Sequence, residues 1–338
     1  MLFLKKVFKF GFKVFILSLI TLLIFEVCFR LSVIDFYRLE AEALNTSENL
    51  KVENAVDYLV FGDSFSATSS EINYIDMLRK RNPELSFFNV SVPGIGIREV
   101  NTFAATKIRK HKPKAIIYQI YVGNDLIDVN HLWCFENVSL FRNMYWETSD
   151  YLLGVKYLNQ KSTLLKPRES LRAVTMAIDQ FKPEYYNIRT RQYLNCNPSY
   201  LDHTVRLKAN FKERYKAWIG HMNVFLESIP NDIPVYLVWV PHCGQVNQSY
   251  LENMKSMGAI FSDDHALSMI NYPFLEGAKQ DLSVFSNVKH LNPLGKLQEK
   301  NTPSYPLYFA NDPHFNKNGN VVLSDFLQNH IPFSKKTF

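Results

Sequence analysis

The chain has 338 residues, of which 47% are hydrophobic and 21% charged, a composition that folds around a core. A single core stops growing at ~250–300 residues, so this length accommodates one main domain with added segments. The formal charge of +6 comes partly from Lys5, Lys6, Lys9 and Lys13, and no basic stripe interleaved with aromatics accompanies it, which argues against a nucleic-acid partner.

The first element is an apolar run. Residues 14–25 read VFILSLITLLIF without a break, extended by Phe10 and Phe12 upstream and by Val27, Cys28 and Phe29 downstream. A membrane span needs ~20 residues. Residues 10–29 reach that length with Lys13 snorkelling and Glu26 near the far interface. A cleaved signal peptide is the rival, but Glu26 and Arg30 stand where the small residues of a cleavage site belong, and no small residue directly precedes Cys28. Residues 1–30 therefore read as an uncleaved transmembrane anchor. The lysines before it favour a cytoplasmic N-terminus and an extracytoplasmic main domain in the cell membrane. No second amphipathic membrane patch stands out. Residues 31–55, ending NTSENLKVENA, read as a linker.

Strand and helix patterns then alternate. YLVF at 58–61 leads into Gly62-Asp63-Ser64; a helical stretch at 71–81 ends at Asn82-Pro83. SFFNVSV at 86–92 is strand-like and stops at Pro93-Gly94; 98–110 is helical; AIIYQIYV at 115–122 suits a strand buried on both faces. Residues 130–200, rich in Tyr, Trp and Asn, read as an insertion that either caps the site or forms a peripheral subdomain. Residues 205–228 look like one helix feeding the strand PVYLVWV at 234–240; a last strand falls near LSVF, and 318–330 is the closing helix. The alternation predicts an α/β fold: a three-layer sandwich on a parallel sheet of about five strands, occupying 56–335 behind the anchor.

Ser64 follows a strand through a glycine, which exposes a hydroxyl at the carboxyl end of the sheet, where open α/β folds place ligands. A serine needs a base to become a nucleophile, and the C-terminal loop offers Asp312-Pro313-His314. Asp63 is expected to brace the turn rather than to react. His242 and the Asp263-Asp264-His265 group read as ordinary polar residues: no third ligand stands at a metal-site spacing, and no cofactor is implied. Cys28, Cys134, Cys196 and Cys243 make no zinc motif; the last three could form one disulfide with a thiol left over, a pairing that spacing does not decide.

YLVFGDSFS, NVSVPGIG, VGNDL and NDPHFNKNG, in that order, resemble blocks I, II, III and V of the SGNH/GDSL hydrolases. The resemblance covers roughly 56–330, with no family motif in 130–230. It implies a flavodoxin-like fold, Ser64 as nucleophile, His314 as base and Asp312 as its orienting acid. It implies an oxyanion hole of the Ser64 N–H, Gly94 (with Gly96 as the alternative) and Asn124. The family's usual D-x-x-H is one residue shorter here, and Asn311 occupies the usual acid position. Anchored extracytoplasmic members commonly act on O-acyl groups of cell-surface glycans. The resemblance therefore implies an esterase or O-acyltransferase, with an acylated carbohydrate as substrate and a polysaccharide-modification complex as a candidate partner. The alternative is an inactive SGNH-like protein that binds glycan or assists assembly.

Overall fold

The computed structural model describes residues 2–31, 33, 55–67, 73–129, 140–155 and 180–333. The linker expected at 31–55 and parts of the insertion, 130–139 and 156–179, fall mostly or wholly outside these residues.

Helix α1 (Leu2–Arg30) contains a stretch, Lys5–Cys28, of 24 residues that is long and apolar enough to cross a membrane. At a rise of ~1.5 Å per residue it measures ~36 Å, against a hydrocarbon thickness of ~30 Å. Its apolar side chains are exposed along the whole length, from Val7 to Val27.

Five parallel strands form one sheet: β1 (Tyr58–Phe61), β2 (Phe87–Asn89), β3 (Ala115–Tyr121), β4 (Val235–Val240) and β5 (Val288–Leu291), in the order β2-β1-β3-β4-β5. Every residue of β1, β3 and β4 is buried, as their apolar runs require of strands covered on both faces. The chain order reverses at β1 and β3, whose carboxyl ends lie side by side. A crevice opens at such a switch point.

Helices cover both faces. On one side lie α2 (Tyr74–Arg81), capped by an Asn73–Asp76 box, and the C-terminal helix Lys317–His330. Asn82 and Gln328 join them through side-chain bonds of 2.9 and 3.2 Å. On the other side α3 (Ile97–His111) packs with Phe211–Glu227, and Phe61 of β1 meets Phe103 and Phe225 from these two helices.

Two expectations change. The closing strand is Val288–Leu291, because residues 283–287 turn instead of extending. The helix expected over 205–228 is two helices, Tyr200–Arg206 and Phe211–Glu227, broken where Leu207 and Ala209 take φ of 50°. Asn210, a residue type suited to capping, makes no side-chain capping bond at the second start, and the first helix closes on the Leu207 N–H, which bonds the His203 and Thr204 carbonyls. Cys243 is a free thiol, and Cys134 lies outside the described residues.

The insertion contributes α4 (Leu140–Leu152), which docks on α3 through buried charge. Arg98 donates to Asp150 at 2.7 Å, with both side chains essentially inaccessible. Trp146 lies under the guanidinium at 5.3 Å, and His221 stands 3.4 Å from Asp150. Burial lowers the His221 pKa against the opposing pull of Asp150. Breaking a buried pair strands one charge, which costs far more than losing an exposed pair. Asp150→Ala should therefore lower the unfolding free energy by ~3–5 kcal/mol in urea denaturation of the detergent-solubilised chain. Removing the exposed Lys216–Glu213 pair by Glu213→Ala should change it by less than ~0.5 kcal/mol.

Candidate active site

The turn after β1 is built around a buried carboxamide. Gln119, the one polar side chain in β3, lies beneath the turn, and its Oε1 accepts both the Asp63 N–H and the Ser66 hydroxyl at 3.1 Å. Gly62 is required by this contact: a Cβ there would lie 2.6 Å from both Gln119 Oε1 and Ser66 Oγ. Asp63 Oδ1 accepts the Phe65 N–H at 2.9 Å, closing the turn around Ser64. Asn89 donates to the Ser66 carbonyl at 2.8 Å, and Tyr74 meets the Ser66 hydroxyl at 2.6 Å. Ser64 is left half-buried on top. It sits on a tight turn and not on a helix N-terminus, since α2 begins only at Tyr74.

The C-terminal loop meets this turn. His314 Nε2 lies 2.7 Å from Ser64 Oγ, and the ring rests on Phe65 with centroids 4.7 Å apart. His314 Nδ1 contacts Asp312 Oδ1, which also accepts the His314 backbone N–H at 2.9 Å. A carboxylate only accepts, so Nδ1 is the protonated nitrogen and the Nε2 lone pair faces the serine hydroxyl. The short spacing thus lets one carboxylate oxygen hold both the ring and the backbone of His314. Asn311, three residues before His314, turns elsewhere: its side chain bonds Lys182 N and Gln180 O, each at 2.8 Å.

Those partners belong to the insertion. Asn187 N–H donates to the Asn311 carbonyl at 2.8 Å, and its carboxamide donates to Asp312 Oδ2, also at 2.8 Å. The described end of the insertion therefore supports the acid. Sequence reasoning missed Asn187, because nothing distinguishes it in an Asn-rich, aperiodic stretch. It also missed Gln119, for which a signal existed: a lone carboxamide in an otherwise apolar buried strand demands a partner.

Electrostatics follow from these contacts. Burial opposes charge on His314, but the hydrogen bond and charge of Asp312, helped by Asp63, outweigh it and hold the imidazole pKa above its usual value. Burial likewise opposes charge on Asp312, but the His314 contacts and the Asn187 bond hold its carboxyl below the usual range. Burial pushes the Asp63 carboxyl up, and nearby Asp128 rises to about 8 through burial and the charge of Asp63.

The remaining site residues occupy the same edge of the sheet. Asn124 ends the turn after β3; among the described residues its carboxamide makes no capping bond, and its buried Oδ1 has no partner. It is not held as an ordinary turn-capping residue. Gly94, exposed after β2, has φ of 73°, a conformation that favours glycine. The Gly96 N–H is already engaged, donating to Glu99 Oε2 at 3.0 Å at the start of α3, whereas among the described residues the Gly94 N–H makes no backbone bond. Burial drives the His242 pKa down to about 3, with Nδ1 accepting the Gly244 N–H, so that ring is a neutral structural group. Burial pushes the Cys243 thiol up to about 12, which rules it out as a competing nucleophile. Asp263 caps the short helix Asp264–Ser268, and Asp264 pairs with Lys255.

No protein-family profile matches the chain, and no curated protein matches it. Among solved structures it is similar to a catalytic mutant of Axe2, an acetylxylan esterase from Geobacillus stearothermophilus (TM-score 0.41, 12% identity, covering 84% of this chain and 97% of that one). It is also similar to the lipase Lip_vut3 from a goat rumen metagenome (TM-score 0.39, 12% identity, 81% and 97% covered). A third is LAE5, an alpha/beta hydrolase enzyme from the metagenome of Lake Arreo, Spain (TM-score 0.34, 12% identity, 81% and 94% covered).

The coupling of His314 to Asp312 is directly measurable. In a histidine NMR titration the His314 ring should titrate above the ordinary imidazole value. In Asp312→Asn it should titrate lower than in the parent, because the charge and hydrogen bond that oppose the effect of burial are lost. An unchanged His314 pKa in that variant would show that Asp312 does not govern the ring.

Proposed function

We propose that this protein is a membrane-anchored acyl-ester enzyme of the SGNH/GDSL type, working through an acyl-Ser64 intermediate. The observation that carries the reading is the continuous hydrogen-bond chain from Asn187 through Asp312 and His314 to the Ser64 hydroxyl, at the switch point of a parallel sheet. Ser64 Oγ attacks the ester carbonyl carbon while His314 Nε2 takes the hydroxyl proton. Asp312 keeps the ring oriented and favours the imidazolium that forms. The oxyanion is received by the Ser64 and Gly94 N–H groups and the Asn124 carboxamide, each such donor contributing ~3–4 kcal/mol in the transition state. Collapse breaks the ester C–O bond, and the departing oxygen takes the proton from His314. In the second half, water or a sugar hydroxyl gives its proton to Nε2 and attacks the acyl carbon; the acyl–Oγ bond then breaks and Ser64 Oγ takes the proton back from Nε2, which restores both residues. The incoming oxygen decides whether the enzyme is a hydrolase or a transferase.

The substrate class in this reading is an O-acyl, and within that an O-acetyl, group on an extracytoplasmic glycan. It rests on the motif resemblance together with the apolar N-terminal helix. The rival reading, an inactive glycan-binding relative, drew on the irregular spacing of Asp312 and His314. Their direct contact removes that motive.

Turnover of a chromogenic acetyl ester tests the chemistry. Ser64→Ala and His314→Ala should each abolish it, and the double variant should be little worse than either. Asp312→Asn should leave a measurable remainder, and Asn124→Ala should lower kcat by ~10²–10³. Because His314 must be neutral to accept the serine proton, activity should fall as pH drops through its raised pKa. Full activity in Ser64→Ala would overturn the assignment; a wild type inactive with every acyl donor would favour the binding reading.

Topology is tested separately. The chain should stay in the membrane fraction through alkaline carbonate extraction, and protease added to spheroplasts should digest the main domain. Appearance of a soluble processed form would exclude the anchor.

A further inference from the structure

Helix α4 has two unlike faces. Successive residues turn an α-helix by ~100°, so Phe141, Met144, Thr148, Tyr151 and Leu152 fall within one stripe ~100° wide. All five are exposed; Phe141, Tyr151 and Leu152 are 82%, 83% and 76% accessible. The opposite face, with Trp146, Ser149 and Asp150, is buried and locked to α3 by the Arg98–Asp150 pair. A helix held by a buried ion pair on one side presents four large apolar residues to solvent on the other, a surface of the kind that marks an interaction site.

The occupant is indicated by what adjoins the stripe. Tyr145, at its edge, donates from its hydroxyl to Glu26 Oε1 at 3.4 Å. Glu26 ends the unbroken apolar run of α1, where a carboxylate sits at the level of the lipid headgroups. Tyr145 is thereby placed at the same level, and the neighbouring stripe carries no charged residue, only Phe, Met, Thr, Tyr and Leu. Tyrosine favours the headgroup region, and Phe, Leu and Met favour the acyl boundary beneath it.

We propose that α4 is a second membrane contact: its Phe141–Leu152 stripe lies in the interface of the bilayer that α1 spans, so the main domain is held against the lipid surface and not merely tethered above it. The inference rests on the reading of α1 as an anchor. Its consequence for the reaction is orientation. Asp150 locks α4 to Arg98 in the first turn of α3, four residues beyond Gly94, so the attitude of α4 on the bilayer sets that of the oxyanion loop. A substrate carried close to the lipid surface is the kind such an arrangement serves.

Photo-crosslinking of the full chain tests this. p-Benzoylphenylalanine is placed singly at four positions: Phe141→p-benzoylphenylalanine and Tyr151→p-benzoylphenylalanine in the stripe, Ile16→p-benzoylphenylalanine in α1, and Lys80→p-benzoylphenylalanine on α2 of the opposite helix layer. Each protein is reconstituted in vesicles of phosphatidylethanolamine and phosphatidylglycerol containing a trace of biotinylated phospholipid. All four replaced side chains are exposed, so folding is not at issue. Lipid adducts should form from positions 16, 141 and 151, with the two stripe positions at least about fivefold above position 80. Adducts from 16 alone would leave the anchor intact and overturn the α4 contact. Adducts from none would overturn the anchor and the inference with it. Crosslinks from 141 or 151 to a second copy of the chain would make the stripe a protein interface and also overturn the proposal.

Discussion

One buried oxygen, Oε1 of Gln119, sets the conditions for the site. It takes the Asp63 amide and the Ser66 hydroxyl together, which fixes the turn at two points either side of Ser64. Two parallel strands must be adjacent for a side chain of β3 to reach a turn that leaves β1, and the sheet order makes them so. The same contact forbids any side chain at position 62. The glycine before the motif is thus a packing requirement imposed from the next strand, and the position of the Ser64 hydroxyl is inherited from the sheet.

Charge is distributed with similar economy. The Asp312–His314 pair is the one place at the site where contacts hold an acid low and a base high against burial. Around it, titratable groups are driven towards neutrality: His242 stays unprotonated, Cys243 stays a thiol, and Asp128 is pushed up to about 8. A proton moving between Ser64 and His314 therefore meets chiefly the field of Asp312, with a smaller contribution from Asp63 of the same sign. In a medium of low dielectric that difference matters, because each additional buried charge would act over many ångströms with little screening.

Local chemistry was the part of the fold legible in sequence. Continuous apolar runs announced β1, β3 and β4; the first and last motifs held Ser64, Asp312 and His314, which the fold brings into contact. What could not be read was what depends on partners distant in the chain. The break at Leu207–Asn210 rests on non-glycine residues in the left-handed region, Leu207 and Ala209, and the last strand is the partly exposed VKHL, weaker in pattern than the LSVF run before it. The apolar stripe of α4 was invisible because the aromatic-rich insertion has weak periodicity; only knowing which face Arg98 buries separates the exposed side from the packed one. Choosing between Asn311 and Asp312 as the partner of His314 likewise required the loop itself, in which Pro313 is buried and Asn311 is drawn to residues 180–187.

Support of Asp312 by Asn187 has a temporal meaning as well as a spatial one. Ser64 is synthesised 250 residues before His314. Throughout that interval its hydroxyl is an ordinary alcohol on the turn after β1, whose neighbouring strand β3 is made later. The residues that orient the acid arrive next, and the acid and base last. Contacts this far apart in the chain form late, after loop closure has been achieved. The nascent protein therefore crosses the stages of its own assembly chemically silent, and gains a basic partner for its serine only once the whole sheet and both ends of the main domain have come together.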